Sequence, residues 1–528
     1  MVLSGPIHSG KTTLSAGLTD RLGSVVFKSR EALARRISKD FSDRRKPLQA
    51  EGARLDRATN GRWVVQELLK WLRDNEPCNV VVVDAVRIAG QVEGIRDAFG
   101  ARVVHIHLTA PEEVLRRRHE EPRERSTDSG LTFEQARNDE TERNVESLAS
   151  IADAVIDTNR CTQLDVLSRA ISHIRVHNRS GYGYVDVIVG GQYGSEGKGQ
   201  VASFIAKEYD LLVRVGGPNA GHKVFSNPPY THHQLPSGTR FNTEARLLIG
   251  SGAVLNVPKL LKEIADCDVD AKRLVVDRNA MIILPKDIRR EEGLRRGIGS
   301  TKSGTGAATS RRIMERNIDT KLARHIPSLR PYLGDAFRVL EDSYLSGQRI
   351  LLEGTQGTGL SLYHGAYPYV TSRDTSAGGC LAEAGIPPGW VRRVLMVCRT
   401  YPIRVESPSR GTSGPLNEIG WAEVARRSGL DVRLLRKRER TSTTDRRRRV
   451  GEFDWSLLRK AALLNGATDI ALTFVDYLDS VNAKAFRFEQ LTPDSIRFID
   501  EVERVAGIPV SMVTVGFNNR SVIDRRAW

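Results

Sequence analysis

The stretch Val185-Asp-Val-Ile-Val-Gly-Gly-Gln-Tyr-Gly-Ser-Glu-Gly-Lys-Gly199 decides how the larger part of this chain folds. Its apolar start predicts a strand, its glycine-rich middle predicts a phosphate-binding loop, and a helix is expected from about Gln200. The loop is not a Walker A motif, because Lys198 is followed by Gly199 rather than by Ser or Thr. The segment therefore indicates an α/β domain that binds a phosphorylated ligand.

A different phosphate loop opens the chain, where Gly5 and Gly10 frame a complete Walker A pattern. Lys11 would reach the β- and γ-phosphates of a nucleoside triphosphate, and the hydroxyl of Thr12 would hold Mg²⁺. Thr13 follows and completes the predicted loop. The loop lies between a short apolar strand and a predicted helix, which is the context that a P-loop requires.

Further strands are predicted at Asn79–Asp84 and Arg102–Leu108, and their alternation with helical stretches indicates a doubly wound α/β domain. Asp84 ends the first of these strands, where a carboxylate would assist Mg²⁺ binding. Arginines at 116–118, 123 and 125 follow, where a small kinase keeps a lid over the transferring phosphoryl group.

The first domain, residues 1–178, resembles the nucleoside and nucleotide kinase branch of the P-loop proteins. The resemblance implies that Arg30 and Arg87 contact the phosphate acceptor, although it does not name that acceptor. The alternative is a decayed kinase that is kept as a scaffold. A polar, glycine-containing stretch at 177–184 predicts the boundary, so that a second domain covers 184–528.

The composition fits a protein of more than one domain that binds small anions. The 528 residues include 80 basic and 64 acidic side chains, for a net charge of +16. Anionic nucleotides explain this excess better than nucleic acid, because no zinc-finger, RNP-like or basic-zipper motif is present. No apolar run approaches the roughly 20 residues that span a bilayer. The five cysteines form no CxxC pair, so we expect a cytoplasmic protein.

The second domain continues with a loop rich in Gly and Asn, Arg214-Val-Gly-Gly-Pro-Asn-Ala-Gly-His222. A single His is usually structural, but its place soon after a phosphate loop makes His222 a candidate for a polarising group. Four later segments are Glu353-Gly-Thr-Gln-Gly357, His364-Gly-Ala-Tyr-Pro-Tyr-Val-Thr371, Thr375–Gly379 and Ser442-Thr-Thr-Asp-Arg-Arg-Arg-Arg449. In this order they resemble the EGAQG, HGTYPYVT, TTAGG and TTGRRRR segments of the adenylosuccinate synthetases.

That resemblance covers residues 185–528 and implies a two-step ligation that uses Mg²⁺. The γ-phosphate of a nucleoside triphosphate, GTP in the typical family member, passes to O6 of IMP, and L-aspartate then displaces it at C6. Phosphorylation suits this chemistry, because a carbonyl oxygen is a poor leaving group. The resemblance also implies a homodimer that binds small-molecule nucleotides.

The family motifs also assign roles to single residues. Lys198 would bind the transferred phosphate, His222 would stabilise charge on the leaving side, and Gln356 would hydrogen-bond the purine near O6. Further nucleotide or phosphate contacts would come from Gly194, Glu196, Gly197, Gly199, Asn219, Gly221, Thr301, Thr371, Asp476 and Gly516. Gly221 would also be a Mg²⁺ ligand. The aspartate carboxylates would be held by Thr443, Thr444, Arg446 and Arg448, since a guanidinium fork matches a carboxylate.

Ser195 departs from the family pattern at a catalytic position. The family loop reads GDEGKG, and its Asp is both the general base toward purine N1 and a Mg²⁺ ligand, whereas a Ser hydroxyl cannot act as that base. One interpretation is an inactive enzyme. The other is a 2-amino substrate, GMP or dGMP, because Ser is shorter than Asp and its oxygen can accept from an exocyclic amine. The product would be a 2-aminoadenylosuccinate nucleotide, as in the phage branch of the family, and this resemblance implies the host cytoplasm as the location if a phage encodes the chain.

Two smaller departures concern the phosphoryl donor and the dimer. Thr473-Phe-Val-Asp476 replaces the TKLD of guanine recognition, so that ATP or dATP competes with GTP as the expected donor. The family's Arg that crosses the dimer interface has three candidates here, namely Arg311, Arg312 and Arg316. The competing hypothesis for the whole chain is a catalytically inactive nucleotide sensor or scaffold.

Overall fold

The computed structural model describes most of the chain, namely residues 1–36, 45–75, 78, 80–121, 132–138, 142, 144–173, 183–292, 301–407, 411–441, 445–516 and 521–526. Contacts within the chain divide it into Met1–His177, called unit 1, and Asn178–Trp528, called unit 2. Of the predicted linker at 177–184, residues 177–182 lie outside the described residues. Over the described ranges, no helix is long and apolar enough to cross a membrane.

Unit 1 contains a five-stranded parallel sheet with the strand order β2-β3-β1-β4-β5. The strands are β1 (Val2–Ser4), β2 (Val25–Lys28), β3 (Val81–Asp84), β4 (His105–Thr109) and β5 (Ala154–Asp157). The helices are α1 (Lys11–Leu22), α2 (Ser29–Ala34), α3 (Arg45–Thr59), α4 (Arg62–Asp74), α5 (Ala89–Phe99), α6 (Glu112–Glu120), α7 (Phe133–Arg137) and α8 (Gln163–Ser172).

The central strand of unit 1 places its phosphate loop at the middle of the sheet. β1 is buried and pairs with β3 on one side and with β4 on the other. The loop after β1 therefore opens between the carboxyl ends of its two neighbours, which is where parallel α/β sheets bind ligands. The predicted strand at 102–108 begins later, at His105, because Gly100 has a positive φ of 60° and a 3₁₀ turn covers Gly100–Arg102.

Unit 2 is built on a ten-stranded sheet with the order β14-β12-β10-β7-β15-β6-β16-β19-β20-β21, in which only β21 is antiparallel to its neighbour. Its strands are β6 (Tyr184–Gly190), β7 (Leu211–Arg214), β10 (Arg246–Ile249), β12 (Leu274–Asp277), β14 (Leu333–Gly334), β15 (Arg349–Glu353), β16 (Val391–Arg399), β19 (Asp469–Thr473), β20 (Val510–Thr514) and β21 (Val522–Asp524). Three small two-stranded sheets pair β8 (His222–Val224) with β9 (Tyr230–His232), β11 (Val254–Leu255) with β13 (Met281–Ile282), and β17 (Ile403–Val405) with β18 (Arg448–Val450).

The helices of unit 2 are α9 (Lys198–Ile205), α10 (Val257–Asp266), α11 (Pro285–Glu292), α12 (Thr305–Glu315), α13 (Ala336–Leu345), α14 (Ala377–Ala384), α15 (Trp421–Ser428), α16 (Val432–Arg438), α17 (Trp455–Asn465) and α18 (Pro493–Ala506). Alternate residues of β6 are buried on opposite faces of the large sheet, with Val187 and Val189 in one apolar cluster and Ile188 in the other. A strand that is buried on both faces reads as a continuous apolar run, which is why this strand could be predicted.

Five adjacent strands of the large sheet end together at one edge. The strand register aligns Arg214 at the end of β7 with Glu353 at the end of β15, and Arg399 at the end of β16 with Thr473 at the end of β19. β6 lies between β15 and β16 and ends at Gly190. The phosphate loop therefore begins at an edge to which three of these five strands bring a charged residue, Arg214, Glu353 or Arg399. Both units confirm the predicted α/β class, with a parallel sheet in unit 1 and a larger sheet in unit 2.

Candidate active sites

Glu196 organises the phosphate loop of unit 2 from inside. Its carboxylate accepts hydrogen bonds from the backbone N–H groups of Gln192 (3.2 Å) and Gly194 (2.7 Å), and its other oxygen lies 2.6 Å from Nζ of Lys198. The Glu196 and Lys198 side chains are 0% and 2% exposed. A Cβ at Gly190 would lie 2.8 Å from this carboxylate, so a larger residue would not fit there. Glu196, which we predicted to contact the nucleotide, holds the loop and Lys198 in place.

The loop backbone leaves an anion-binding position open in front of α9. Gly194 and Gly197 have φ values of 81° and 95°, in the left-handed region that glycine adopts without strain. Gly197 is the N-cap of α9, and no side chain caps that end of the helix. The free N–H groups of the first turn and the helix dipole favour a bound phosphate. Gly199 lies in this turn, where a Cβ would approach Cβ of His222 to 2.9 Å.

Ser195 lies between two arginines of unit 2. Nη2 of Arg448 is 3.3 Å from Oγ of Ser195, and Nη1 of Arg399 is 3.4 Å from its carbonyl oxygen. Glu439 joins the two arginines, since its carboxylate oxygens lie 2.8 Å from Nη2 of Arg399 and 2.9 Å from Nη1 of Arg448. Burial would raise the pKa of Glu439, but Arg399 and Arg448 lower it to about 2. Of the residues predicted to bind aspartate, Arg448 therefore lies beside the phosphate loop.

A buried charged cluster holds His222. Nδ1 of His222 contacts the Glu353 carboxylate, which also lies 2.8 Å from Nη1 of Arg214 and accepts from the backbone N–H of Ser237 at 2.7 Å. Burial and then Arg214 lower the pKa of His222 to about 4, against the opposite effect of Glu353. If Nδ1 donates to Glu353, Nε2 is left to face a ligand. It makes no hydrogen bond to any residue of the described ranges.

Two predicted ligand contacts carry buried oxygens without partners. Oε1 of Gln356 and Oδ1 of Asn219 are both buried and accept no hydrogen bond from the described residues. Gln356 has a left-handed φ of 56°, and a Cβ at Gly194 would lie 3.6 Å from its Cα, so its backbone lies against the phosphate loop. Unsatisfied buried acceptors are costly, which makes these two amides candidates for contacts to a polar ligand.

The predicted binding elements for the nucleotide 5′-phosphate also converge. Thr301 is linked through Ser303 to Thr305, the first residue of α12, by hydroxyl contacts of 3.2 and 2.9 Å. A Cβ at Gly306 would lie 3.1 Å from Cβ of Ser372, the neighbour of Thr371. The start of α12 therefore brings the two predicted threonines to one region of unit 2.

The three arginines proposed for the dimer contact differ in their surroundings. Arg311 is buried and bound to the Asp287 carboxylate at 3.0 and 2.8 Å, and Arg312 donates to the carbonyl oxygen of Ser251 at 2.9 Å. Arg316 is exposed and has no partner within the described part of the chain. Arg316 is therefore the candidate whose guanidinium remains available to another molecule.

The structure describes most of the residues predicted to bind the base of the triphosphate, and fewer of those predicted to bind aspartate. Oδ1 of Asp476 is buried with no partner among the described residues, and burial raises the pKa of this carboxyl to about 6. The Phe474 ring, which replaces the family's Lys, lies under the Arg399 guanidinium at 4.1 Å. The carbonyl oxygen of Gly516 accepts from Gln200 at 3.1 Å. Thr443 and Thr444 lie outside the described residues, and Arg446 is placed by its backbone N–H, which donates to Thr441 at 2.9 Å.

In unit 1, a cavity of about 1000 Å³ includes Gly10, Lys11, Thr12 and Thr13 of the P-loop. Nζ of Lys11 donates to the carbonyl oxygens of Gly5 (2.6 Å) and Pro6 (2.8 Å), and burial lowers its pKa to about 8. The lysine therefore donates to its own loop, and a bound phosphate would compete with these carbonyl oxygens for its ammonium group.

Several other predicted kinase residues surround this cavity. Arg30, Arg87 and Arg118 line it; Arg87 is bound to Glu142, and Arg118 donates to the Thr158 hydroxyl at 2.9 Å. Oδ1 of Asp84 is buried without a partner among the described residues, and burial raises the pKa of this carboxyl. Of the remaining predicted lid arginines, Arg116 pairs with Glu112 and Glu134, and residues 123 and 125 lie outside the described ranges.

Sequence reasoning did not assign a role to Glu439, Arg399, Arg214 or Glu353. Glu353 and Arg214 begin segments that we quoted, and each directly follows three apolar residues, at 350–352 and 211–213, which was a usable signal for a strand end. Glu439 follows α16 and Arg399 ends β16, and nothing near them in sequence indicates that they meet at Ser195.

Comparisons with known proteins match the two parts of the chain to different families. A family model described as adenylosuccinate synthetase matches residues 187–325 and 315–483, and one described as AAA domain matches residues 1–144. The chain is 39% identical over 350 residues to the adenylosuccinate synthetase of Thermococcus onnurineus, a match that covers 64% of this chain and 98% of that protein.

Two solved structures are similar to unit 2. One is the succinoaminodeoxyadenylate synthetase of cyanophage S-2L bound to dGMP and to dATP as an energy donor, with a TM-score of 0.55, 29% identity, and coverage of 66% of this chain and 96% of that one. The other is a fully ligated adenylosuccinate synthetase from Plasmodium falciparum, with a TM-score of 0.57, 22% identity, and coverage of 65% and 100%. The second likeness supports the fold alone.

Proposed function

The chain belongs to the adenylosuccinate synthetase family, and from this premise we propose that unit 2 joins L-aspartate to C6 of GMP or dGMP. Membership makes unit 2 an aspartate-ligating synthetase of purine nucleotides. The observation that supports a 2-amino substrate is Ser195, a short, neutral side chain in the phosphate loop with Arg448 3.3 Å from its oxygen. The cyanophage relative, whose structure contains dGMP, supports the same choice.

The proposed chemistry proceeds in two balanced steps. First, O6 of the purine attacks the γ-phosphorus of the triphosphate, the bond to the β-phosphate oxygen breaks, and N1 loses its proton. Then the amino group of aspartate attacks C6 and inorganic phosphate leaves, which gives a 2-aminoadenylosuccinate nucleotide. Ser195 cannot take the N1 proton because its hydroxyl is not basic near neutral pH, so that proton passes to solvent water. Ser195 instead leaves space beside C2 and accepts from the 2-amino group.

The neighbouring residues fit the charges of these steps. Lys198 and the N–H groups at the start of α9 would bind the transferred phosphate. The anionic triphosphate would favour a proton on Nε2 of His222, which Glu353 supports from the other side of the ring. The Arg448 fork would take one carboxylate of aspartate. Gln356, with its unpartnered oxygen, would contact the purine edge.

We expect ATP or dATP to serve as the donor in unit 2 at least as well as GTP. Phe474 packs under Arg399 and 5.2 Å from the Tyr477 ring, so it does not reproduce the lysine contact of guanine-specific relatives. Asp476 can accept from an amino group of either purine. Mg²⁺ would be shared between the triphosphate oxygens and a few protein oxygens, including the Gly221 carbonyl. This fits the described residues, where no cluster of three or more His, Cys, Asp or Glu could hold a metal ion.

For unit 1 we propose a nucleotide kinase activity. Lys11 and the P-loop would bind the triphosphate, and Thr12 with Asp84 supplies the oxygen ligands that Mg²⁺ prefers. Arg30 and Arg87 line the same cavity and would hold the acceptor phosphate. The acceptor would belong to the same pathway as the product of unit 2.

A homodimer is part of the proposal. Ile313, Met314 and Ile318 are 60%, 77% and 91% exposed, and Arg316 lies among them without a partner in the described ranges. Exposed apolar residues grouped in this way indicate a protein contact. Light scattering of the purified chain should give twice the monomer mass, and Ile318→Glu should lower it; a monomeric wild type would contradict the proposal.

The ligase proposal has a direct test. The chain is incubated with aspartate, Mg²⁺, each of IMP, GMP and dGMP, and either ATP or GTP, while phosphate release and succinylated product are followed by chromatography. We expect product from GMP or dGMP, and none without aspartate. Nucleotide binding without aspartate-dependent turnover on any of the three would indicate a sensor and would reject the ligase.

A further inference from the structure

The cavity of unit 1 extends to both sides of the P-loop. On one side it is lined by Gln163 and Leu167 of α8, which follows β5 at one end of the sheet. On the other side it is lined by residues of α2 and α3, which follow β2 at the opposite end. A volume of about 1000 Å³ is at the upper end of the size of ligand pockets. The cavity can therefore hold a donor on one side of the phosphates and an acceptor on the other.

The α3 side contains a fixed carboxylate. Oδ1 of Asp56 accepts from the indole N–H of Trp63 at 2.7 Å and from the amide of Gln91 at 2.9 Å, and Gln91 in turn accepts from the backbone N–H of Arg87 at 2.8 Å. Oδ2 of Asp56 makes no hydrogen bond to any residue that the structure describes. Burial raises the pKa of Asp56, partly offset by Gln91 and Trp63. One oxygen is thus committed to the protein, and the other remains for a ligand.

A second polar group lies on the same face of α3. Gln49 precedes Asp56 by seven residues, or two helical turns, which places the two side chains in line about 10 Å apart along the axis. Nε2 of Gln49 is buried and has no partner among the described residues. Gly52 lies between them and also lines the cavity, where a Cβ would lie 3.3 Å from Cδ1 of Leu33, so a larger residue would narrow this side of the cavity. Leu33 and Leu48 border the same side of the cavity with apolar surface.

This side of the cavity has an apolar border, an amide at one end and a carboxylate at the other, which matches the polarity of a nucleobase. We propose that Gln49, Gly52 and Asp56 form the base-recognition site for the nucleoside monophosphate that unit 1 phosphorylates, and that this base donates an exocyclic amino group to Asp56. The inference rests on the proposed kinase activity and names the acceptor of that activity by its chemistry.

Hydrogen-bond polarity explains the selection of an amino group. An ionised carboxylate only accepts, so a base that turned a carbonyl oxygen toward Oδ2 of Asp56 would place two acceptors face to face. The amide of Gln49 can turn to offer its N–H or its oxygen, and it therefore adapts to the neighbouring base edge. Discrimination comes from Asp56, because an analogue that lacks the amino group leaves the partly buried carboxylate oxygen without that partner.

The acceptor phosphate would face the P-loop from this side. Arg30 has no partner among the described residues, and the Arg87 backbone is tied to the Asp56 cluster through Gln91. In the transfer, an oxygen of the acceptor phosphate attacks the γ-phosphorus of the donor, and the bond to the donor β-phosphate oxygen breaks. The products are two nucleoside diphosphates, and no other reactant is needed.

The test compares nucleotides that differ by one amino group. The full chain is assayed with ATP and Mg²⁺ on three pairs of nucleotides. These are dGMP against dIMP, which differ only at C2, dAMP against dIMP, where the 6-amino group is exchanged for a carbonyl, and dCMP against dUMP, where the 4-amino group is exchanged for a carbonyl. We expect kcat/KM at least tenfold higher for one amino-bearing member of these pairs than for its partner. Which pair shows the difference identifies the base.

Three variants connect that preference to the site. Asp56→Asn keeps an acceptor for Trp63 and Gln91 but offers an N–H where Oδ2 was, so the preference should vanish or reverse. Glu51→Gln is the matched control on α3, since Glu51 pairs with Arg54 in a different position, and it should change nothing. Gly52→Leu should raise KM for the monophosphate at least tenfold while KM for ATP stays constant, and it favours helix formation.

Binding of the same nucleotide pairs to wild type and to Asp56→Asn, measured by calorimetry, separates the two proposals. Binding that depends on Asp56 and on the amino group, without turnover, would reject the kinase and keep the recognition site. Turnover with no amino preference, or an Asp56→Asn chain that behaves like Glu51→Gln, would overturn the recognition site and keep the kinase. Absence of both turnover and Asp56-dependent binding would reject both.

Discussion

The two phosphate loops of this chain follow a strand inside a parallel sheet, but they treat their lysines in opposite ways. In unit 1, Nζ of Lys11 donates to two carbonyl oxygens of its own loop, at 2.6 and 2.8 Å. In unit 2, Lys198 lies 2.6 Å from the buried Glu196 carboxylate. The negative charge that pairs with Lys11 would come from a bound phosphate, whereas Lys198 already forms an ion pair with a residue of its own loop. The second loop is consequently held in shape before any phosphate arrives.

The largest effect should come from exchanging each lysine in turn. Lys198→Ala should lower the synthetase rate by about 1000-fold, the size of effect expected for a lost stabilising group, while the kinase rate stays constant. Lys11→Ala should do the reverse. Both rates are measured on each purified variant, with circular dichroism to verify folding. If either variant loses both activities, the two sites are coupled and the comparison of independent loops is wrong.

A smaller effect should follow from Ser195→Asp. The longer carboxylate would occupy the space beside purine C2 and supply a base, so preference should shift toward IMP and away from dGMP by about 10- to 100-fold in kcat/KM, the usual worth of a small steric change. Ser195→Ala is the control, because it removes the hydroxyl without filling the space. A wild type that already uses IMP far better than GMP or dGMP would contradict the steric explanation.

The smallest effect concerns pH and unit 1 alone. Because burial lowers the pKa of Lys11 to about 8, the charged form that binds phosphate is lost as pH rises through this value. Affinity for a non-hydrolysable triphosphate should therefore fall above pH 8, by at most tenfold per pH unit, and proton uptake should accompany binding there. Lys11→Arg should flatten the profile, since Arg stays charged. Affinity that is constant from pH 7 to 9 in wild type would show that Lys11 keeps its charge without phosphate.

Local pattern was sufficient to predict much of both folds. Buried parallel strands such as β6 and β3 appear as short apolar runs, and the glycines of each loop mark the turn into a helix. The helix after the loop of unit 2 begins at Lys198, two residues before the predicted start, because Gly197 caps it. The synthetase motifs also brought Ser195, Gln356 and Arg448 into the prediction.

Long-range partners could not be predicted in this way. Glu439 reaches Arg399, 40 residues earlier, and Tyr477, 38 residues later, and only the strand order of the sheet brings them together. The Asp56 cluster has the same character, because Gln91 comes from another helix, 35 residues away. Sequence periodicity indicates which face of an element is buried, but it does not indicate which other element covers that face.

The backbone of Ser195 has a consequence for how this chain could evolve. Its φ of 56° lies in the left-handed region, where Asp and Asn are tolerated better than other residues with a side chain. An Asp there would also gain a charged partner in Arg448. Selection for thermal stability alone would therefore favour Asp, and only selection for the substrate would preserve Ser. Accordingly, Ser195→Asp without nucleotide should melt at a higher temperature than the native chain.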